Sequence, residues 1–388
     1  MERTYKFRLY PKREQVDILD RTLMLCRHLY NNALEERIVA YRMAGKTVNQ
    51  YEQSRELVQV KEENPEYKDV YSHALQNVIK RLDKSYANFF RRVKEKKEKA
   101  GFPRFKGRNR FNSVTYDIYG FRLRDNGNLY ATGIGTIRMF KHREIEGTPK
   151  TCIIKRDGVG DWWTSISVAL PDVSKRELKT AIGIDVGLKQ LVKVTDGTKI
   201  MPPKFLRASE EKIKIIQREV SRKVKGSDNR RKSVKRLAKA HRRVERQRDD
   251  FLHKASRSLA LKADTIVFEN LNINGMLKNH HLAKSIGDAS WGKLMQYTAY
   301  KAEEAGGSVY YVNPNGTSQI CSRCGERVQK SLSERVHVCT NCGFSADRDY
   351  NASLNILGRL PSDRGELLKT PVETEPPLSS KGGSEFGR

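Results

Sequence analysis

Three acids and four cysteines carry the chemistry open to this sequence. Asp185 stands in the apolar run IGIDVG, Glu269 closes IVFENL, and Asp349 lies in DRDYNAS, two residues after Asp347. A carboxylate in a sheet-forming apolar run is costly unless a partner offsets its desolvation, and a divalent cation is such a partner. Phosphodiesters hydrolyse readily where two ions about 4 Å apart clamp the attacking and leaving oxygens, and shared carboxylates hold magnesium in that arrangement. The alternative is that each acid caps a helix or pairs with a nearby arginine, and taken singly Asp347 or Asp349 reads better that way, because Arg348 and a helix start lie beside them. Their order and surroundings favour the metal.

The cysteines follow the spacing C-x2-C-x14-C-x2-C, as Cys321, Cys324, Cys339 and Cys342. Each C-x-x-C turn presents two thiolates to one ion, and four sulfurs close a tetrahedral zinc shell with no position left for water. The site is therefore structural, in a zinc ribbon. His337, two residues ahead of Cys339, reads as a surface residue of the ribbon rather than a fifth ligand. Cys26 and Cys152 stand alone in apolar surroundings, as small core residues do, so no disulfide framework is implied.

These groups sit in a strongly basic chain. Of 388 residues, 75 are Lys or Arg and 46 Asp or Glu, a net charge of +29 distributed along the length. Such a field attracts a polyanion, and nucleic acid is the favoured one. No apolar run approaches a membrane span and no signal peptide precedes Met1–Tyr10, so an intracellular protein without a membrane partner is expected. In GFPRFKGRNRF, Arg104, Lys106, Arg108 and Arg110 alternate with Phe102, Phe105 and Phe111, suited to phosphate contact with stacking or packing beside it. Between Arg222 and Arg248, thirteen basic residues face two acidic ones. Arg230, Arg231, Lys235, Arg242 and Arg243 belong to this nucleic-acid-facing helix, on an apolar seam of Val234, Leu237, Val244 and Phe251.

The elements that must position the acids follow from periodicity. TYKFRLY alternates as a half-buried strand, and from Val16 the spacing through Leu19, Leu23, Cys26, Tyr30 and Leu34 is helical. A second helix runs from Leu75 through Val93 and closes on Gly101, with Pro103 beyond. Residues 112–172 hold short strands with a turn at Asp125–Asn128, a β-rich module that the first strand joins across the helical block. AIGIDVG is a strand, LVKVTDGTKI a hairpin turning at Asp196-Gly197, and residues 206–262 long helices broken near Gly226–Asn229. DTIVFENL and GGSVYYVNP are further strands, NASLNILGRL a helix, and residues 361–388 a disordered tail.

GIDVG, FENL, the paired cysteine turns opened by TSQICSRCG, and DRDYNASLNI, in this order, resemble the RuvC-type nuclease half of TnpB proteins. Those are transposon-encoded RNA-guided DNA endonucleases, kin to the compact type V CRISPR effectors. YKFRLYPKREQ and FPRFKGRNRF resemble the family's wedge and recognition regions more weakly, and the likeness covers residues 1–360. The resemblance implies an α/β multidomain protein: an RNase H-like (RuvC) nuclease domain with a zinc-ribbon insertion, and a β-rich wedge module interrupted by a helical recognition block. Its boundaries are 1–11 and 101–180 for the wedge, 12–100 for the helical block, 181–309 and 348–360 for the nuclease domain, and 310–347 for the ribbon.

It also implies Asp185, Glu269 and Asp349 as catalytic ligands of two Mg2+ ions, with Mn2+ as a substitute and Asp347 as runner-up for the last place. Ser353 stands where the family often has alanine. The implied partners are a guide RNA from the transposon end and double-stranded target DNA beside a T-rich motif, engaged by a monomer in the nucleoid-associated cytoplasm. Two alternatives stay open: a transposase working without guide RNA, and a nuclease-inactive RNA-guided repressor of transcription.

Overall fold

The computed structural model describes residues 1–95, 100–108, 110–174, 179–331 and 334–360; the 361–388 tail lies outside the described residues. The chain divides into two compact units, Met1–Asp172 and Val173–Arg388.

In the first unit, β1 (Glu2–Tyr10) buries Tyr5, Phe7 and Leu9 on one face. Three helices follow, α1 (Arg13–Ala44), α2 (Gln50–Glu63) and α3 (Ser72–Lys94). Then come β2 (Ser113–Asp117), β3 (Phe121–Leu123), β4 (Leu129–Ala131), β5 (Gly135–Phe140), β6 (Thr148–Arg156) and β7 (Trp162–Ala169). The sheet order is β2-β6-β7-β1-β5-β4-β3, with β1 antiparallel to both neighbours.

Helices and strands share one core, so the helical and β-rich stretches pack as a single body. Buried Arg37 of α1 ties the helices together, donating to Gln53 Oε1 of α2 at 2.9 Å and Asp83 Oδ1 of α3 at 3.1 Å. Cys26 and Cys152 are buried in this core, where desolvation pushes both thiols up to about 12 and leaves them unreactive at neutral pH. α3 is described to Lys94, with no fully buried side chain after Leu82; the expected closure on Gly101 runs through residues 96–99, which lie outside the described residues.

The second unit opens with β8 (Ala181–Val186), β9 (Val192–Val194) and β10 (Lys199–Ile200). Next are α4 (Phe205–Arg222), α5 (Asp228–Ala260), β11 (Thr265–Glu269), α6 (Ile273–Met276), α7 (Ala283–Ala289), α8 (Trp291–Glu304) and β12 (Ser308–Val312). A small hairpin, β13 (Val336–Val338) and β14 (Ser345–Asp347), then leads into α9 (Arg348–Gly358). The main sheet runs β10-β9-β8-β11-β12, with β8, β11 and β12 parallel and β9 turning back antiparallel to β8.

Strand parity decides which residue faces which helix. Ile182, Ile184, Val186, Ile266 and Phe268 pack with Leu252 and Leu259 of α5 and Leu294 of α8. Val267 and Val312 face the other way, onto Ile356 of α9. Gly183, Asp185 and Glu269 share the parity of that second face.

The seam expected along α5 is only partly there. Val244 is buried, but Val234 is exposed and Ser233 takes the inward position. In this stretch α5 pairs with α4, Lys223 Nζ reaching Ser233 Oγ at 2.6 Å and Arg236 pairing with Glu219 at 2.9 Å, and a two-helix hairpin is too narrow to cover a full apolar stripe.

Close approach of α9 to β8 depends on Gly183. A Cβ there would stand 2.2 Å from the Ser353 carbonyl oxygen and 2.7 Å from the Leu357 nitrogen, both backbone atoms. Gly183→Ala should therefore push α9 off the sheet and destabilise the protein by about 3 kcal/mol or more, read as a lowered midpoint in denaturant.

Candidate active site and metal centre

Asp185 ends the α9-facing row of β8, Glu269 is the last residue of parallel β11, and Asp349 lies in the first turn of α9. Three segments distant in sequence thus bring carboxylates to one place, at the carboxyl ends of parallel strands where α/β sheets hold their ligands. Their mutual influence is direct. Burial, then the neighbouring Glu269 and Asp349, hold the Asp185 carboxyl well above the usual range. Burial also raises Glu269, opposed by a hydrogen bond from the Thr317 hydroxyl and by the charge of Arg359. Asp349 is raised by burial and by Asp347, and lowered by Arg335, Arg348 and Lys193.

Neither Asp185 nor Glu269 has an ion-pair partner within 4.0 Å among the described residues, and Arg335 Nη1 lies 3.8 Å from Asp349 Oδ1. Buried carboxylates that lack a fixed counter-charge form a hard-oxygen donor set suited to a divalent cation. Asp347 has another task. Its Oδ1 accepts from the backbone N–H groups of Asp349 at 3.1 Å and Tyr350 at 3.0 Å, which makes it the N-cap of α9.

Cys321, Cys324, Cys339 and Cys342 place their sulfurs within 4.8 Å of one another. They are the only set of three or more His, Cys, Asp or Glu residues so grouped among the described residues; the acids stand farther apart, as like charges do. The Cys321–Cys342 and Cys324–Cys339 sulfurs are 3.7 and 3.5 Å apart. Sulfurs on tetrahedral zinc at about 2.3 Å are separated by about 3.8 Å, so the set fits zinc and is far too open for disulfides. Backbone N–H groups of Cys342 and Asn341 bring the Cys339 thiol down to about 7, toward the thiolate a metal takes.

His337 is not on the ribbon surface. It is fully buried, its ring 6.1 Å from that of Phe344 and its Nδ1 against Lys330 Nζ, while Val336 and Val338 face solvent. In a strand this short the pairing of His337 with Ala346 sets which face turns inward, overriding hydrophobicity.

Hydrogen bonds join the cysteine module to the acids. Asn351 of α9 donates to the Ile320 carbonyl at 2.8 Å and accepts from Ser322 N–H at 3.0 Å, flanking Cys321. Asn355 donates to the Thr317 and Ile320 carbonyls at 2.8 and 2.6 Å, and the Thr317 hydroxyl donates to Glu269. Thr317, Asn351 and Asn355 support the site without holding a metal-binding position in any of its sequence motifs. Their signal was the polar residues at positions 351 and 355, one turn apart on one helix face. Asn351→Ala leaves the half-buried Ser322 amide unpaired and the Ile320 carbonyl to Asn355 alone, so zinc should be lost at lower chelator concentration, with a stability loss of about 1 kcal/mol or more.

Among the basic candidates, Arg104, Arg108 and Arg110 are exposed, while Lys106 is half-buried over the Tyr30 ring at 5.2 Å. Phe111 is core, Phe102 packs on Tyr86 and Phe89, and Phe105 is exposed. On α5, Arg231, Lys235 and Arg243 are exposed and Arg230 and Arg242 half-exposed; Arg231 pairs with Asp228 at 2.8 Å.

A mixed α/β protein with a four-cysteine centre and a separate acidic cluster is thus in view. A family model described as "Probable transposase" matches residues 165–280, and one described as "Cas12f1-like, TNB domain" matches 291–356. A third, described as "Helix-turn-helix domain", matches 1–46, which here form β1 and one uninterrupted helix, α1. A "Putative RNA-guided DNA endonuclease" of Streptomyces pristinaespiralis is 34% identical over 92% of this chain and 89% of its own length. The "Putative RNA-guided DNA endonuclease InsQ" of Escherichia coli strain K12 is 30% identical over 96% of both. A solved structure, "Structure of the mini-RNA-guided endonuclease CRISPR-Cas_phi3", aligns at 11% identity with a TM-score of 0.47 over 92% of each chain. The chain belongs to the TnpB family of RNA-guided DNA endonucleases.

Proposed function

We propose that this protein is a transposon-encoded RNA-guided DNA endonuclease whose one active site is the Asp185, Glu269 and Asp349 cluster in an RNase H-like (RuvC) domain. The observation that carries the reading is the meeting of these acids from three segments, with raised pKa values and no ion pair on Asp185 or Glu269. Asp185, Glu269 and Asp349 would hold Mg2+, or Mn2+ in its place. When bound, that metal supplies electrostatic stabilisation of the charge that develops on a phosphodiester during in-line displacement.

The chain's own residues do the rest. The sheet fixes Asp185 and Glu269, Asp347 caps the turn that presents Asp349, and Thr317 orients Glu269. The cysteine module takes zinc as a closed structural ion and steadies the helix that carries Asp349. Basic surfaces in the 1–11 and 101–180 wedge, the 12–100 recognition block and α5 would track the backbone of a guide RNA and its heteroduplex. Base pairing then supplies target sequence, and the protein reads a short T-rich flanking motif in duplex form. We place the active complex in the nucleoid-associated cytoplasm with one protein copy; no helix among the described residues is long and apolar enough to cross a membrane.

The test is to sequence RNA retained through purification and then assay cleavage on a plasmid library with randomised flanks. A transposon-end RNA that directs magnesium-dependent cutting beside one motif is the expected result. Strand transfer without RNA would establish the transposase reading. Bound RNA with target binding and no cutting in any flank would establish the repressor.

A further inference from the structure

We infer that Lys193 holds a backbone phosphate of the DNA strand in the groove beside the acids, with Tyr350 as the aromatic wall of that groove. The inference rests on the nuclease reading above and names the part of the site that grips the strand. Lys193 is the register partner of Asp185 across β8 and β9, so their side chains share a face. It is 5 % exposed, yet it lines an open groove of about 490 Å³ together with Thr195, Asp196, Gly197, Ala346, Asp347 and Tyr350.

An ammonium offers three donors. One reaches the Gly197 carbonyl at 3.2 Å, and the charge lies 5.3 Å from the Tyr350 ring centroid. No carboxylate lies within 4.0 Å of it among the described residues, its register partner Asp185 included, although its charge reaches Asp349, and the other acids of the groove have partners of their own. Asp196 pairs with Lys262 at 2.6 Å, Asp347 caps α9, and Asp349 has Arg335 at 3.8 Å. A buried cation without an anion is costly, and its natural counter-ion is one that enters the groove. A phosphodiester supplies the charge while a base or sugar of the same strand lies against Tyr350. The adjoining acids make a scissile strand the fitting occupant.

The test has a binding arm that does not depend on cutting. In the full chain carrying Asp185→Asn, affinity for a fluorescein-labelled 12-residue oligo(dT) is measured against salt. Adding Lys193→Met should lower the slope of log affinity on log salt by about 0.7, the share of one phosphate on a single strand, and Lys193→Arg should restore it. An unchanged slope overturns the inference, whether or not the variant melts earlier; that pattern would make Lys193 only a brace of the β9–β10 turn. Should Lys193→Met fail to fold, Ala346→Glu serves instead. A carboxylate in the groove should weaken oligo(dT) binding by about threefold or more, and unaltered affinity overturns the inference equally. In the guide-loaded parent, Lys193→Met should slow single-turnover cleavage about tenfold or more and Lys193→Arg much less. A parent that does not cut refutes the nuclease reading, while the salt slope still decides the role of Lys193.

Discussion

Asp185→Asn should abolish DNA cleavage, by about 10³-fold or more, and at the same time raise the melting temperature of the protein in chelator. Both effects come from one carboxylate. Burial, with Glu269 and Asp349 close by, makes the ionised form of Asp185 costly in the native state. Its native pKa therefore lies above the unfolded value of about 3.9, the native state binds more protons between the two, and metal-free stability falls as pH rises through that window. The amide removes this penalty, so the gain in melting temperature should be small near pH 4 and larger at pH 8.

Millimolar Mg2+ should stabilise the parent most at the higher pH, because an ion that binds only the native state adds to its stability. It should stabilise Asp185→Asn much less. Calorimetry at the two pH values, with and without Mg2+, reads these shifts. Guide-RNA binding should be unchanged. Cleavage at the parent rate by the variant would remove Asp185 from the active site.

Cys339→Ser should cost both the zinc and the activity. Structural zinc sites in small domains contribute about 10 kcal/mol or more of apparent folding energy, and the module here has few other means of staying folded. Of its described residues beyond β12, Thr317, Cys321, His337 and Cys339 are buried. Loss of the ion frees the segment around Cys321, so Asn351 and Asn355 lose acceptors and Thr317 no longer orients Glu269. Cleavage should fall about 100-fold or more although no acid has been touched. Metal analysis by mass spectrometry and a cleavage time course check this. Parent zinc content with the parent rate would show that the cysteines neither hold the ion nor support the site.

Much of this arrangement is visible in sequence because strand parity is a local property. The alternation of Tyr5, Phe7 and Leu9, the apolar runs around Asp185 and Glu269, and the Asp196-Gly197 turn are set by neighbours one or two residues away. Cysteine spacing is equally local, since each C-x-x-C turn forms half of its site unaided. His337 and Val234 were misread for one reason. Hydropathy says what a side chain prefers, whereas the pairing of β13 with β14 and the width of the α4–α5 hairpin decide what is covered.

Lys193, Thr317 and Asn351 were out of reach for a different reason. Each matters through a partner between 4 and 48 residues away, Gly197 for Lys193, Ile320 for Asn351 and Glu269 for Thr317. A lone lysine in a strand or a threonine in a loop gives no sign of such a partner. Asp347 and Asp349 could be ordered by type and spacing but not separated by role until the capping hydrogen bonds were seen.

The central place of β1 bears on how the protein is made. The first ten residues lie between β5 and β7, whose last strand residue is Ala169. At ordinary elongation rates the ribosome needs roughly ten seconds or more to deliver that distant partner. Until β5 is made both edges of this alternating apolar strand stay open, and until β7 follows one does, so a chaperone that shields nascent segments should raise the soluble yield of this protein more than that of one whose first strand pairs with its immediate successor.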